Sequence, residues 1–369
     1  MAPKKILTAI GLMSGTSFDG VDAAIIKTNG TKIYSLGETF ASSYSDSLRR
    51  KIRNLVNKKN SIKLLLDVED ELALEHVLIV KKLLQKAKLK SSDIDVIGFH
   101  GQTIYHSPLQ KKTMQIGNSA LLAERTGINV VSDFRRMDVA SGGEGAPLVP
   151  FFHNALCQKL SKPVAVLNIG GVANVTYVGS NKELIAFDTG PGCALIDDWI
   201  HDHRRGHYDD EGKVAHKGIP NQEILDLFMR HKFFKQKPPK SLDRNKFKSF
   251  VKKLDGMSVE DGAATLTHIT ALSIKSSQKF MPSKPKQWMV CGGGSKNRFL
   301  LDILSKQYGF KIINFDNFRV FDNNIIDADF VEAQAFAFLA VRSLCNLPIS
   351  APTTTGAYQE RSGGAFYRF

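Results

Sequence analysis

Cysteine is scarce and dispersed: the 369 residues contain four, Cys157, Cys193, Cys291 and Cys345, and no C-x-x-C pair. That spacing excludes a zinc ribbon and a disulfide framework, and a reducing, cytoplasmic setting is expected. No apolar run approaches the roughly 20 residues that cross a bilayer. One segment imitates a signal peptide, Lys4 and Lys5 ahead of Ile6 to Met13. Ser14 to Ser17 interrupt it and no small-x-small cleavage site follows, so it reads as a buried first strand. Acidic residues are in deficit, 36 against 50 Lys and Arg, for a formal net charge of +14. Such an excess suits nucleic acid or an anionic substrate. The lysines are scattered, however, and no aromatic-interleaved RNA motif accompanies them. The expectation is a Lys-rich surface with no nucleic-acid or membrane partner, compatible with anionic ligands such as nucleotides.

Hydrophobic residues make up 43% of the chain and charged residues 23%, ordinary for a globular protein with real cores. The length suggests two or three domains. Lys5 to Leu12 and Val21 to Ile26 are apolar and flank a Gly- and Asp-containing turn, which predicts a hairpin. Apolar spacing predicts a helix over 61–89 with Ser61 as N-cap. Short strands are expected at Ile94–Phe99, ending in His100-Gly-Gln-Thr103, and at Ile128–Val131, ending at Asp133. The second half repeats the opening: Val164–Ile169, Gly170-Gly171, Val172–Val178. Leu184–Phe187 is a predicted strand ending at Asp188. Residues 200–255 are polar and basic and read as a looped, partly helical insertion. A helix over 261–280, a strand at Trp288–Cys291, a helix opened by Ser295 and an apolar helix over 329–344 complete the pattern. Strands alternating with helices make the class α/β. Two such hairpins suggest two lobes able to grip one polyphosphate.

Glycine loops carry the first functional signal. Gly11-Leu-Met-Ser-Gly15-Thr16-Ser17-Phe18-Asp19-Gly20 has the backbone freedom and hydroxyls that suit a phosphate. Asp19 can hold Mg²⁺ through water. The turn is neither a P-loop nor a dinucleotide fingerprint, and a plain hairpin turn is the competing reading. Gly170 and Gly171 form the second-half counterpart, flanked by Asn168 and Asn174. Gly292, Gly293 and Gly294 sit between a strand and a helix, where a base or ribose can lie; a ligand-free connection is the alternative. Asp188, before Thr-Gly-Pro-Gly, stands at a strand end where a carboxylate can act as general base, or cap the helix near Ala194. His100, Gln102 and Thr103, then Asp133 and Arg135, form polar clusters suited to hydroxyl, amide and carboxylate groups. Glu332 lies on an otherwise apolar helix and needs a partner or a ligand.

Together these segments resemble the anhydro-N-acetylmuramic acid kinases. The stretches are GLMSGTSFDGVDAAI, GFHGQTIYH, QIGNSALLAERTGINVVSDFRRMDVASGGEGAPLVPFFH, LNIGGVANVTYV, FDTGPG, ATLTHITA, VCGGGSKNRFL and DADFVEAQAFAFLAV, in family order along nearly the whole chain. The resemblance implies an actin/hexokinase-like (ribonuclease H-like) duplicated fold with ATP in the interlobe cleft. Lobe I is expected over 1–132 plus 346–369 and lobe II over 133–345. It implies ATP with Mg²⁺, and 1,6-anhydro-N-acetylmuramic acid as the sugar. Hydrolytic ring opening is coupled to phosphorylation of O6, in cell-wall recycling by a cytoplasmic homodimer. By matching position, the resemblance implies that Gly15, Thr16, Ser17, Phe18, Asp19, Gly20, Val21 and Asp22 would contact ATP and that Asp188 would be the catalytic base. Departures are Cys193 for the usual Asn, Phe18 for Leu, Glu144 for Gln, and PPKSLDRNKF where the family tends to PPKSTGRE. Two other readings share the fold: a kinase of another anhydrosugar such as levoglucosan, and a nucleotide-gated sugar-binding regulator without turnover.

Overall fold

The computed structural model describes residues 5–15, 17–56, 61–315, 318–320 and 324–369. It divides into two compact units, Met1–Gln158 with Arg319–Phe369, and Lys159–Phe318. The first unit opens with β1 (Leu7–Ser14), β2 (Gly20–Thr28), β3 (Ile33–Ser43), α1 (Asp46–Val56) and α2 (Ile62–Ala87). It continues with β4 (Val96–Ser107), β5 (Lys112–Ile116), α3 (Ser119–Thr126), β6 (Val130–Ser132), α4 (Arg136–Ala140) and α5 (Pro150–Leu156). The second unit holds β7 (Val164–Ile169), β8 (Val172–Val178), β9 (Leu184–Pro191), α6 (Ala194–Asp202), α7 (Gln222–Met229), α8 (Val259–Ser277), β10 (Gln287–Cys291), α9 (Arg298–Asp302) and β11 (Ile312–Asn314). The chain then returns to the first unit with β12 (Arg319–Val320), β13 (Asn324–Ile325), α10 (Val331–Leu344) and β14 (Ala365–Tyr367).

The two main sheets share one topology. The first runs β14-β6-β4-β1-β2-β3, with β5 on β4; the second runs β11-β10-β7-β8-β9. In each, three strands form an antiparallel meander and a fourth joins the first in parallel on its other side. A fifth strand extends each sheet in parallel. Duplicated halves with this strand order are the architecture of the actin/hexokinase-like class.

The unit boundaries differ from the expected 132/133 and 345/346. Residues 133–158 and 319–345 pack with the first unit. The cause is α10, which lies on β1, β2 and β4. Gly11 and Gly98 permit the approach: a Cβ on Gly11 would stand 1.8 Å from the Ala333 carbonyl, and one on Gly98 2.1 Å from that of Phe336. A repeat in sequence marks the hairpins, but not a helix that comes home after a whole second unit has intervened.

Caps and cores follow local chemistry. Ser61 caps α2 by accepting from the Leu64 amide, as expected, and Ser258 caps α8. One core packs Ile10, Leu12, Ile25 and Ile97 against Leu48, Leu72 and Val80 of α1 and α2. The second sheet packs Leu167, Val175 and Val290 against Ile274. The basic 200–255 segment has a core of its own, where Trp199, Phe228, Phe234 and Phe247 meet Leu266 of α8. Three boundaries move. Strand β4 continues through His100, Gln102 and Thr103, because β5 pairs with that stretch. Strand β9 continues through Asp188 to Pro191, with its register shifted between Asp188 and Gly190. The helix expected at Ser295 starts at Arg298, capped by Asn297, because Ser295 bonds back to the Gly292 carbonyl.

Candidate active site

The first hairpin turn is fixed by its carbonyls. Gly15 O accepts from the Phe18 amide at 3.3 Å and from Gln102 Nε2 at 3.0 Å. Phe18 O accepts from Arg49 Nε at 3.1 Å, and Asp19 O from the Tyr44 amide at 2.9 Å. With these acceptors turned onto protein donors, the turn is left better suited to an anion. Phe18 holds a left-handed φ of 61°, unusual outside glycine. Thr16, the expected ATP contact between Gly15 and Ser17, lies outside the described residues. A cavity of about 310 Å³ opens here, lined among others by Gly15, Ser17, Asp19, Gly20, Val21, Asp22 and Glu332. Behind the turn, Tyr44 OH donates to Ser14 Oγ at 2.8 Å, and Ser14 Oγ meets His76 Nε2 at 3.2 Å. His76 Nδ1 lies 2.7 Å from the Leu72 carbonyl, and burial holds the imidazole down at about 4, so the ring is neutral and donates there. This chain latches the end of β1 to α2.

Carboxylates line and surround the cavity. Burial raises Asp22 to about 6, helped by Glu332, Asp329 and Asp327. Glu332, at the start of α10, reaches solvent; local desolvation pushes its carboxyl up and Arg135 opposes. Asp19 is exposed. Among the described residues, no group of three or more His, Cys, Asp or Glu is arranged to hold a metal ion. The donor set suits Mg²⁺ that keeps its waters and takes its other ligands from phosphates.

The sugar-type residues of the first unit form a partial cluster. Arg135 donates through Nε to His100 Nε2 at 3.0 Å and through Nη1 to the Gly145 carbonyl at 2.7 Å. Burial, then Arg135, holds His100 well below the usual imidazole range, so it stays neutral with its proton on Nδ1. The His100 ring packs on Phe336, centroids 4.6 Å apart. Two buried atoms, His100 Nδ1 and Gln102 Oε1, lack hydrogen-bond partners among the described residues. The Gly101 and Ser14 backbone also acts on the His100 ring, so Gln102 Oε1 is the more open of the two; a buried acceptor left open beside an arginine invites a polar ligand. Thr103 and Asp133 are engaged elsewhere. Thr103 Oγ1 accepts from Gln115 at 3.3 Å, and Asp133 pairs with Arg136 at 3.6 Å, with burial pushing its carboxyl up.

In the second unit Asp188 is gripped from one strap. Its amide donates to the Lys240 carbonyl at 3.0 Å, and its Oδ2 accepts from the Leu242 amide at 2.7 Å. It does not cap α6; Cys193 occupies that position without a side-chain cap bond. The Gly170 and Gly171 carbonyls accept from the amides of Gly192, Cys193 and Ala194, which ties their turn to the start of α6. Arg244 reaches Gly171 and pairs with Asp198 at 3.0 Å. Of the three consecutive glycines, two are demanded by internal packing: a Cβ on Gly292 would stand 2.3 Å from Asn168 Oδ1, and one on Gly294 2.4 Å from Ile169. Gly293 meets nothing within 4 Å and is the one open to a ligand.

Lys240, Arg244 and the Tyr44–Ser14–His76 chain were not singled out by sequence reasoning. Lys240 and Arg244 stand at the Lys and Arg of the family's PPKSTGRE, so that match, and not the departures at Leu242, Asp243 and Asn245, was the available signal for the first two.

Comparison with known proteins agrees along the full length. The family described as anhydro-N-acetylmuramic acid kinase matches residues 7–369. An anhydro-N-acetylmuramic acid kinase of Rhodospirillum rubrum is 41% identical over 362 residues, covering 97% of this chain and 94% of its own. One from Zymomonas mobilis is 42% identical over 371 residues, covering 98% and 100%. Among solved structures, a ROK family glucokinase from Streptomyces griseus in complex with glucose and AMPPNP covers 90% of this chain and 99% of its own, at 12% identity and a TM-score of 0.41. The (R)-2-hydroxyglutaryl-CoA dehydratase component A of Acidaminococcus fermentans covers 92% and 99%, at 13% identity and a TM-score of 0.46.

Proposed function

The chain belongs to the anhydro-N-acetylmuramic acid kinase family, and from that premise we propose that it opens 1,6-anhydro-N-acetylmuramic acid with water and phosphorylates O6 from ATP. The product is N-acetylmuramic acid 6-phosphate, in cell-wall recycling. The observation that carries the reading is Asp188, a carboxylate on an irregular stretch of β9 gripped by the 240–242 strap. Asp188 takes a proton from water. The water oxygen bonds to C1 as the C1–O6 bond breaks, and O6 bonds to the γ-phosphorus as ADP departs with the bridging electron pair. A glycosidase needs an acid as well as a base; here the phosphoryl group captures O6, so one carboxylate is enough. Phosphoryl transfer itself asks for positioning and charge compensation, assigned to the Gly15–Asp22 hairpin and the Gly170-Gly171 turn. Mg²⁺, when bound, would neutralise phosphate charge, and Asp19 and Asp22 are the residues that would hold it. Gly293 and its neighbours face the adenosine side. Arg135 pairs the lactyl carboxylate, His100 orients Arg135, and Gln102 offers its open acceptor to the sugar. Homodimerisation and a cytoplasmic setting belong to the same reading; among the described residues no helix is long and apolar enough to cross a membrane.

A coupled ATPase assay checks it. Turnover rises strongly with anhydro-N-acetylmuramic acid and little with levoglucosan, which lacks the acetamido and lactyl groups. The reverse preference assigns another anhydrosugar. Nucleotide binding without sugar-stimulated turnover assigns a regulator.

A further inference from the structure

Lys240 lies on the face of the 240–242 strap away from water. Its side chain is 3% exposed. Its ammonium stands over the rings of Phe233 at 4.3 Å, Phe280 at 4.6 Å and Phe187 at 5.8 Å, and donates to the Phe233 carbonyl at 3.1 Å. Phe187 is the residue before Asp188. An ammonium in an aromatic box is attracted by the ring faces, but sealing a charge from water is costly unless it is matched by another. Two charges act on it: the Lys279 ammonium opposes its protonation and the Asp188 carboxylate favours it. Burial, the largest influence, brings it down to about 8. The same residue accepts the Asp188 amide through its carbonyl, and Leu242, two residues on, donates to the Asp188 carboxylate.

We infer that Lys240 is a positioning residue for the catalytic carboxylate: its boxed ammonium anchors the strap whose Lys240 carbonyl and Leu242 amide orient Asp188, and adds positive charge on that side of the carboxylate. This rests on the proposed role of Asp188 as base. A purely structural lysine has a simpler expectation. Replacing buried charge by apolar side chains of similar length is often neutral or stabilising when no opposite charge is left stranded away from water, and Asp188 is only half-buried. The Phe233 carbonyl keeps a second partner, the Gln236 amide at 3.2 Å, when the ammonium is removed. Stability and activity are therefore separable here.

The test uses the full chain with Lys240→Met and Lys240→Arg. In Lys240→Met the melting temperature holds or rises, while kcat/KM for the sugar falls at least tenfold and its acid limb moves to higher pH. The KM for ATP is unchanged. The wild type loses kcat/KM above about pH 8, where the ammonium deprotonates, and Lys240→Arg recovers activity and extends it to higher pH, since a guanidinium stays charged. A folded Lys240→Met with the wild-type pH profile overturns the inference. So does an alkaline limb that Lys240→Arg leaves in place, which keeps the inference testable even when the Met variant fails to fold. A ¹³C titration of the Asp188 carboxyl, assigned with Asp188→Asn, needs no substrate. Its midpoint rises in Lys240→Met. That separates failure of this inference from failure of the reaction assignment, which the wild-type assay decides.

Discussion

Asp22 is pushed one way by all of its surroundings: burial and the neighbouring carboxylates Glu332, Asp329 and Asp327 all favour its protonated form. Its folded value of about 6 lies above the value near 4 of an unfolded chain, so the native state holds the proton more tightly. The cost of the carboxylate is absent below about pH 4, grows through the window between the two values, and is complete above about pH 6. Asp22→Asn keeps the size and removes that cost. The variant is expected to be more stable than wild type at pH 7.5, by up to about 2 kcal/mol once partial exposure is discounted. At pH 4 the two melt together. In the same variant Mg²⁺-ATP binds less well. Melting temperatures across that pH range decide the matter, and a variant less stable than wild type at pH 7.5 contradicts it. Single residues were unevenly legible in the sequence. Asp188 announced itself because an acid followed a short apolar strand and preceded Thr-Gly-Pro-Gly, and Arg135 because it stood in a polar cluster just past a predicted strand end. Lys240 did not: a lysine within a basic, proline-containing run looks like solvated surface, and nothing local tells that Leu242, two residues on, bonds back to Asp188 54 residues away.

At the scale of elements, α10 and the sheet beneath it act together. Gly98 leaves room for the Phe336 carbonyl, and Phe336 carries the ring on which His100 packs. An added methyl group has backbone, not a flexible side chain, as its neighbour. Gly98→Ala should therefore cost about 3 kcal/mol or more, at the upper end of overpacking effects. It should also raise the KM for the sugar, because α10 carries Glu332 and Phe336 away from Arg135 and His100. Denaturant midpoints and sugar saturation curves measure both, and a variant unchanged in both removes the close packing from the account. Hairpins and capped helices were read well from pattern: β7 and β8 fall on the predicted residues, and Ser61 caps α2. The long strands β4 and β9 were cut short. His-Gly-Gln-Thr and Asp-Thr-Gly-Pro have turn composition, and only a partner strand, β5 for one and β8 for the other, keeps them extended.

At the scale of the molecule, the duplication was legible as two hairpins with small-residue turns, and the two sheets repeat one strand order. The domain boundaries were not, since α10 returns to the first sheet from beyond the second unit. The family was legible because its motifs stand in order along the chain, and the match extends over residues 7–369. What the whole arrangement is proposed to accomplish rests on one proton transfer. Asp188→Asn keeps the strap and the side-chain size and removes the base. Ring opening and phosphoryl transfer should be lost together, because O6 becomes a nucleophile only as C1–O6 breaks. Single-turnover kinetics with ATP and anhydro-N-acetylmuramic acid measure this directly. The account predicts a rate lower by about 10²–10⁴, with ATP binding retained. A folded variant that binds both ligands and turns over at near wild-type rate contradicts it.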